Sequence, residues 1–305
     1  MTTAIAVFLL WGAPGSSGPM EAADLLEMPI MDDTALPDAT PADTVLSVER
    51  GDVLRLENFS GELLVRSWDR SEVNVEFDDR RDSSLDISRR AGVVEVRPSL
   101  RKGRERNRAY VVSVPPWLPV EVMAGELDVR AEGLRAPLEV TTRNGDISIR
   151  NHTGDAEVRT LDGEIDVRDS RGTFQLRSLD DDVSVFEFEG KLFIEANDGD
   201  VEMAGIDAGV VEAGSFNGDI DFSGVIRTGG EYHLSTHNGD VSFEVQADAA
   251  ADFSVATYNG EFEAEFPVVL RGLERGREWD FVLGGGGAQV RLQAFNGAIR
   301  LLEGR

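Results

Sequence analysis

A cassette ending in Asn-Gly-Asp, or a close variant, keeps returning between residues 138 and 262 and constrains this chain more than any other feature. It reads T-T-R-N-G-D-I-S-I at Thr141 to Ile149, T-L-D-G-E-I-D-V at Thr160 to Val167, A-N-D-G-D-V-E-M at Ala196 to Met203, S-F-N-G-D-I-D-F at Ser215 to Phe222, T-H-N-G-D-V-S-F at Thr236 to Phe243 and T-Y-N-G-E-F-E-A at Thr257 to Ala264. With the Gly as marker, the series is Gly125, Gly145, Gly163, Asp181 in the Gly slot, Gly199, Gly218, Gly239 and Gly260, in steps of 18 to 21 residues. Each step holds an alternating apolar run after the turn (Ile147/Ile149, Ile165/Val167, Val201/Met203) and a second before the next turn (Val158, Leu176, Ile194). Two strands and two turns at that period describe one coil of a β-solenoid, with parallel strands stacked coil on coil. Antiparallel hairpins in a sandwich would not require the same residues at one phase of every unit. The expected fold is therefore all-β, with Ile147 and Ile149 inward and Ser148 and Arg150 toward water.

The aligned columns assign most of the cassette to turning the chain. A small, often hydroxylated column (Thr142, Thr160, Ser178, Ala196, Ser215, Thr236, Thr257, Ala294) suits a tight inward corner, where a hydroxyl can bond backbone groups that the bend leaves unpaired. Asn144, Asp162, Asp180, Asp198, Asn217, Asn238, Asn259 and Asn296 tolerate left-handed backbone, as does the Gly that follows most of them. Stacked Asn side chains are also expected to bond from coil to coil. The acidic residue after the Gly (Asp146, Glu164, Asp182, Asp200, Asp219, Asp240, Glu261) is the one part that folding does not explain, because stacking sets like charges along one edge. Solvated turn carboxylates are the leading reading and weak cation binding along the edge the sharper one. A dedicated calcium site is disfavoured, since calcium-binding rolls use Gly-Gly-x-Gly-x-Asp at shorter spacing.

Composition narrows the chemistry. The formal charge is −27, from 57 acidic against 30 basic side chains, which argues against a nucleic-acid partner. There is no cysteine, hence no disulfide framework, thiolate metal site or cysteine nucleophile. Residues 181–270 carry 20 Asp and Glu against Lys191 and Arg227 alone, so the far half of the rod should be strongly negative. Residues 80–108 hold ten of the basic residues, including Arg101, Lys102, Arg104, Arg106 and Arg108, and read as a solvated hairpin loop. No catalytic residues and no cofactor site emerge: His152, His233 and His237 fall on loop or outward positions, and Lys191 stands almost alone along the rod.

Four segments are expected. Residues 1–19 hold a short apolar run, Ala4 to Trp11, that reads as a secretory signal, although no Lys or Arg precedes it. Residues 20–43 form an acidic, Pro-containing flexible linker, residues 44–123 an N-terminal β-strand region, and residues 124–305 the solenoid. Nothing later is apolar enough to span a membrane as a helix. An insertion at 267–288, with Arg271, Arg275, Arg277, Trp279 and Gly284 to Gly287, reads as a loop that caps the open end before Ala294 to Leu301 closes the last coil.

These residues resemble the bacterial "putative adhesin" family of β-strand-repeat proteins of unknown function, similar to the head domains of adhesin-like autotransporters. The resemblance covers Val45 to Leu302 and rests on Phe59-Ser60-Gly61-Glu62 with Trp68-Asp69, on Val114-Pro115-Pro116, on the N-G-D-I cassettes and on Phe295-Asn296-Gly297-Ala298-Ile299. It implies a right-handed parallel β-helix-like fold and a cell-envelope setting, with no catalytic residues to carry over. The expected function is a non-enzymatic exported envelope or surface protein, adhesin-like or scaffolding, in the periplasm or at the cell surface, with a protein or glycan partner. An envelope sensor is the alternative, and a β-helix carbohydrate-active enzyme the more distant one.

Overall fold

A computed structural model describes residues 44–77, 83–100, 108–269 and 278–304. The expected signal, linker, basic loop at 101–107 and insertion residues 270–277 lie outside the described residues. Everything described is strand, turn or irregular chain, with no helix. The N-terminal strands are β1 (Thr44–Ser47), β2 (Val53–Glu57), β3 (Ser60–Ser67), β4 (Glu72–Phe77), β5 (Ser83–Arg90), β6 (Val93–Leu100) and β7 (Arg108–Val114). The middle of the chain gives β8 (Val120–Glu132), β9 (Leu138–Asn144), β10 (Ile147–Arg150), β11 (Ala156–Asp162), β12 (Ile165–Asp180), β13 (Val183–Asp198), β14 (Val201–Asn217) and β15 (Ile220–Gly224). The last are β16 (Glu231–Asn238), β17 (Val241–Val245), β18 (Ala251–Thr257), β19 (Phe262–Ala264), β20 (Glu278–Leu283), β21 (Ala288–Asn296) and β22 (Ile299–Glu303).

From β8 to β17 each strand pairs in parallel with the one a repeat later: Ile147 with Ile165, Ile165 with Val183, Val183 with Val201, Val201 with Ile220 and Ile220 with Val241. The alternation holds at this register, so one apolar column after another faces a continuous core. Ile147, Ile165, Val183, Val201, Ile220 and Val241 are all buried. The hydroxyl column is buried too, and Ser215, Thr236 and Thr257 donate to the carbonyls of Gly199, Gly218 and Gly297 at 3.1, 2.8 and 2.9 Å. The Asn column forms the expected ladder: Asn238 Nδ2 donates to Asn217 Oδ1 (2.7 Å), Asn296 to Asn238 (2.8 Å) and Asn259 to Asn296 (2.9 Å).

Three readings of the repeat need correction. The first marker is not Gly125, because Ile147 pairs with Val129, which puts Leu127 in the Gly slot and Asp128 in the acidic one. The Asn-Gly corner is not left-handed at its Asn, and the glycines are required mainly by close approach: a Cβ on Gly163 would lie 2.3 Å from the Gly145 carbonyl oxygen, and one on Gly218 2.0 Å from that of Gly199. The Gly slot itself keeps positive φ in four layers, at Gly145 (129°), Gly163 (146°), Asp181 (131°) and Gly239 (159°), and a second positive-φ column runs through the opposite corner, at Gly133 (71°), Asn151 (52°), Asp169 (51°), Glu187 (53°) and Gly205 (68°).

The third correction concerns both ends of the stack, where spatial order departs from chain order. β16 does not pair with β18. Instead β21 lies between them, parallel to both, with Leu234 and Val255 each opposite Leu292. Likewise β22 lies between β17 and β19, with Val241 and Phe262 each opposite Ile299. Ala294 to Leu301 therefore fills a gap one layer short of the end, and β20 runs antiparallel along β18 as the outer cover of that sheet. At the other end β2 and β3 pair directly with β8, at Leu54–Val120 and Leu63–Val129, while β6 and β7 lie outside them. β5 and β4 then cover β6 and β7 in the antiparallel sense, so both ends are blunted by antiparallel strands.

Candidate functional site

The acidic edge is woven into the backbone. The Asp128 carboxylate accepts from the Asp146 N–H (3.1 Å), Asp146 from Glu164 (3.1 Å), Asp182 from Asp200 (2.8 Å), Asp200 from Asp219 (2.8 Å), Asp219 from Asp240 (2.7 Å) and Asp240 from Ala298 (2.7 Å). Each aspartate thus satisfies the N–H that the corner leaves without a strand partner on the next layer. The relay stops at Ala298, whose N–H donates to Asp240 and which has no carboxylate to accept from Glu261 on the layer beyond. Glu164 carries one methylene more, and its carboxyl is pushed up by burial and by the charges of Asp146, Asp166, Asp182 and Asp181. Glu261 sits on the outermost layer, beyond Ala298. No cluster of His, Asp or Glu suited to a metal ion occurs among the described residues. Asp219→Ala is expected to cost about 1.5–3 kcal/mol, as for a hydrogen bond to a charged group, and Asp219→Asn less, because the amide oxygen can still accept. Urea unfolding reads both, and millimolar calcium should leave the wild-type melting temperature unmoved.

The histidines need one correction. His152 is 1 % exposed, not on a loop surface, with its ring edge-on to Phe174 at 5.4 Å. Neither ring nitrogen makes a well-aligned hydrogen bond. Burial holds its pKa below the ordinary value, outweighing backbone groups of Asp155 and Gly154 that pull the other way. The unfolded chain therefore binds a proton near pH 6.5 that the folded chain refuses until lower pH, and stability falls as pH drops below about 6.5. His152→Leu should remove that component, read as the wild-type minus variant difference in unfolding free energy between pH 7.5 and 5. The difference is needed because carboxyls raised by burial, such as Glu139 and Glu195, titrate in the opposite sense.

Two concavities hold polar side chains. An open cleft of about 700 Å³ follows the left-handed corner, with Arg135, Arg171, Asp169, Glu187, Glu189 and Asp207 on its walls. Arg227 pairs with Asp207, keeps that carboxyl low and reaches Glu189 at 3.9 Å. A depression of about 250 Å³ lies on the outer face of β14, β16, β21 and β18, lined by Glu212, Glu231, His233, Asp252, Ser254 and Arg291 among others. Burial raises the Glu212 carboxyl and lowers the His233 imidazole, the latter with help from the Arg291 charge and against a hydrogen bond with Gln293. Arg291 is 58 residues beyond His233 in sequence, and only the inward placement of β21 makes them neighbours.

The rim of the same face carries an aromatic ladder. Phe216 stacks on His237 (4.7 Å, 8°), His237 on Phe295 (4.7 Å, 9°) and Phe295 on Tyr258 (4.9 Å, 5°). These side chains occupy the slot before the Asn, which varies along the chain: Arg143, Leu161, Leu179 and Asn197 hold it in earlier layers. From the sequence His237 reads only as a loop or outward residue, and the signal for the ladder is that neighbouring cassettes also carry rings in this slot.

No protein-family model matches this chain, and no curated protein does. Solved structures similar to it include a putative adhesin from Bacteroides fragilis (12 % identity, TM-score 0.43, covering 87 % of this chain and 99 % of that one), a putative cell adhesion protein from Clostridium sporogenes (12 %, 0.24, 87 % and 100 %) and a putative adhesin from Parabacteroides distasonis (11 %, 0.24, 86 % and 98 %). At these scores none of them defines the fold of this chain or the use of its surfaces.

Proposed function

We propose that this chain is a non-enzymatic, exported protein of the cell envelope or surface, an adhesin-like or scaffolding β-solenoid. Residues 124–305 form its repeat, and 44–123 its N-terminal β region. Parallel pairing at offsets of 18 to 21 residues, with columns of like residues buried at each corner, supports the solenoid. The observation that carries the functional reading is the acidic edge. Its aspartates, the most conspicuous chemistry in the sequence, bind backbone N–H groups of the next layer and so maintain the stack. Export rests on the apolar run at Ala4 to Trp11.

Binding of the purified full chain to arrays of glycans and matrix proteins tests this reading. Retention on at least one surface with no release of reducing ends or unsaturated sugar products is the expected result. A second reading, a β-helix carbohydrate-active enzyme, draws support from the corner cleft, where Asp169, Glu187 and Glu189 face the same space as Arg135 and Arg171. Cleavage of any glycan, abolished by Glu187→Gln or Glu189→Gln, would favour it over adhesion.

A further inference from the structure

We infer that the outer face of β14, β16, β21 and β18 is a docking groove for a polysaccharide chain that carries no carboxylate or sulfate. The inference rests on the surface-binding reading above and names its ligand.

The register sorts the outward side chains of this face into rows that cross four strands. The rim row is Phe216, His237, Phe295 and Tyr258. Two residues back along each strand is a row of mostly small side chains, Gly214, Ser235, Gln293 and Ala256, and two further back is the polar row Glu212, His233, Arg291 and Ser254. Gly214, Ser235 and Ala256 keep the floor between the two taller rows low, making a trough that the Gln293 side chain crosses toward His233. Its walls stand about 13 Å apart, from four residues of strand rise, and four strands give it a length of about 14 Å. Those dimensions suit two to three sugar rings lying across the strands, and a peptide strand has no free sheet edge to pair with there.

The walls have the chemistry that sugars use. Phe216, Phe295 and Tyr258 are 43, 37 and 62 % exposed, yet each is stacked on a neighbouring ring, so a ligand gains apolar contact with sugar C–H groups while ordering little that is not already ordered. The opposite wall, Glu212, His233, Arg291 and Ser254, offers a carboxylate, an imidazole, a guanidinium and a hydroxyl, the donors and acceptors that fix hydroxyl groups, and on its far side opens into the 250 Å³ depression with Glu231, Asp252 and Gln289. Nor does the fold require the rings: the same slot is Asn197, Leu179 and Leu161 in earlier layers of the same stack. The charge of the ligand follows from the surroundings. Glu231, Asp252, Glu212 and Asp280 lie on or beside this face with Arg291 among them, and residues 181–270, which supply three of its four strands, carry 20 acidic residues against Lys191 and Arg227. A polyanion is repelled there, whereas a neutral or amine-bearing chain is accepted.

Calorimetric titration of the full chain with three hexasaccharides decides the matter: a β-1,4-linked glucose hexamer, the corresponding glucosamine hexamer and a galacturonate hexamer. The two non-anionic hexamers should bind, the glucosamine one more weakly as salt is raised, and the galacturonate hexamer should not. Phe295→Ser with Tyr258→Ser should weaken binding roughly tenfold. Ser235→Trp, which fills the trough and removes no ring, should do the same, with unchanged circular dichroism showing that both variants fold. Preference for galacturonate, no binding of any hexamer, or loss of less than twofold in both variants overturns the groove. If the chain still adheres to a glycan or matrix surface in that case, only the groove has failed. If it adheres to nothing, the surface-binding reading has failed with it.

Discussion

Removing residues 288–305 unfolds β18, β19 and β20 as well instead of trimming a tail. In the intact chain β16 and β18 are both zipped to β21, and β17 and β19 both to β22, with no pairing between the outer partners themselves. The deletion takes out the buried side chains Val290, Leu292, Ile299 and Leu301 and opens a layer-deep gap in the core. At about 1.5–3 kcal/mol for each such side chain, the loss is roughly 6–12 kcal/mol, comparable to the whole net stability of a domain. Hydrogen exchange should show the amides of β18, β19 and β20 unprotected while those of β9 to β13 keep their protection, because stacked repeats depend on their neighbours. Had the layers followed chain order, β18 would stay paired to β16 and its protection would survive the deletion.

Gly297→Ala is expected to be among the most damaging single substitutions, at about 3–5 kcal/mol. A Cβ there would sit 1.8 Å from the carbonyl oxygen of Gly239 on the adjoining layer, and both atoms belong to backbone held by ladders on either side. Neither layer can move without breaking the pairing of β17 with β22. Gly218→Ala meets the Gly199 carbonyl oxygen at 2.0 Å and should behave alike. Gly125→Ala is the contrast: a Cβ at that position meets nothing within 4 Å, so its midpoint in urea should stay close to wild type. The pair separates a glycine needed for close approach from one that only looked like part of the series.

The repeat was legible because strand pairing in this protein copies its sequence period. A side chain buried in one layer is buried in the next at the same phase, so Ile147, Ile165 and Val183 could be placed inward from alternation alone. The hydroxyl and Asn columns were legible for the same reason. What escaped was whatever depends on which layers touch. The role of the acidic edge turns on a carboxylate meeting the N–H of the next layer, and no single cassette contains both. His152 looked like a loop residue because the corner around it is polar in sequence, yet the chain turns its ring onto Phe174. Inward placement of β21 and β22 left no mark in the period, since the cassette at Asn296 fits either side of the one at Asn259. The polar row with Arg291 beside His233, and the unbroken stack from Phe216 to Tyr258, follow from that placement and could not be read before it was known.

That placement carries both the architecture of the far end and the groove proposed on it, and the absence of cysteine makes it simple to test. Ser235 is directly opposite Gln293 on parallel strands, at a Cα spacing of about 5 Å, within disulfide range, whereas Ala256 lies a further layer away at about 10 Å. Mild oxidation of two double variants, Ser235→Cys with Gln293→Cys and Ser235→Cys with Ala256→Cys, should give an intramolecular disulfide in the first and free thiols in the second. A disulfide joining positions 235 and 256, with none joining 235 and 293, would contradict the account.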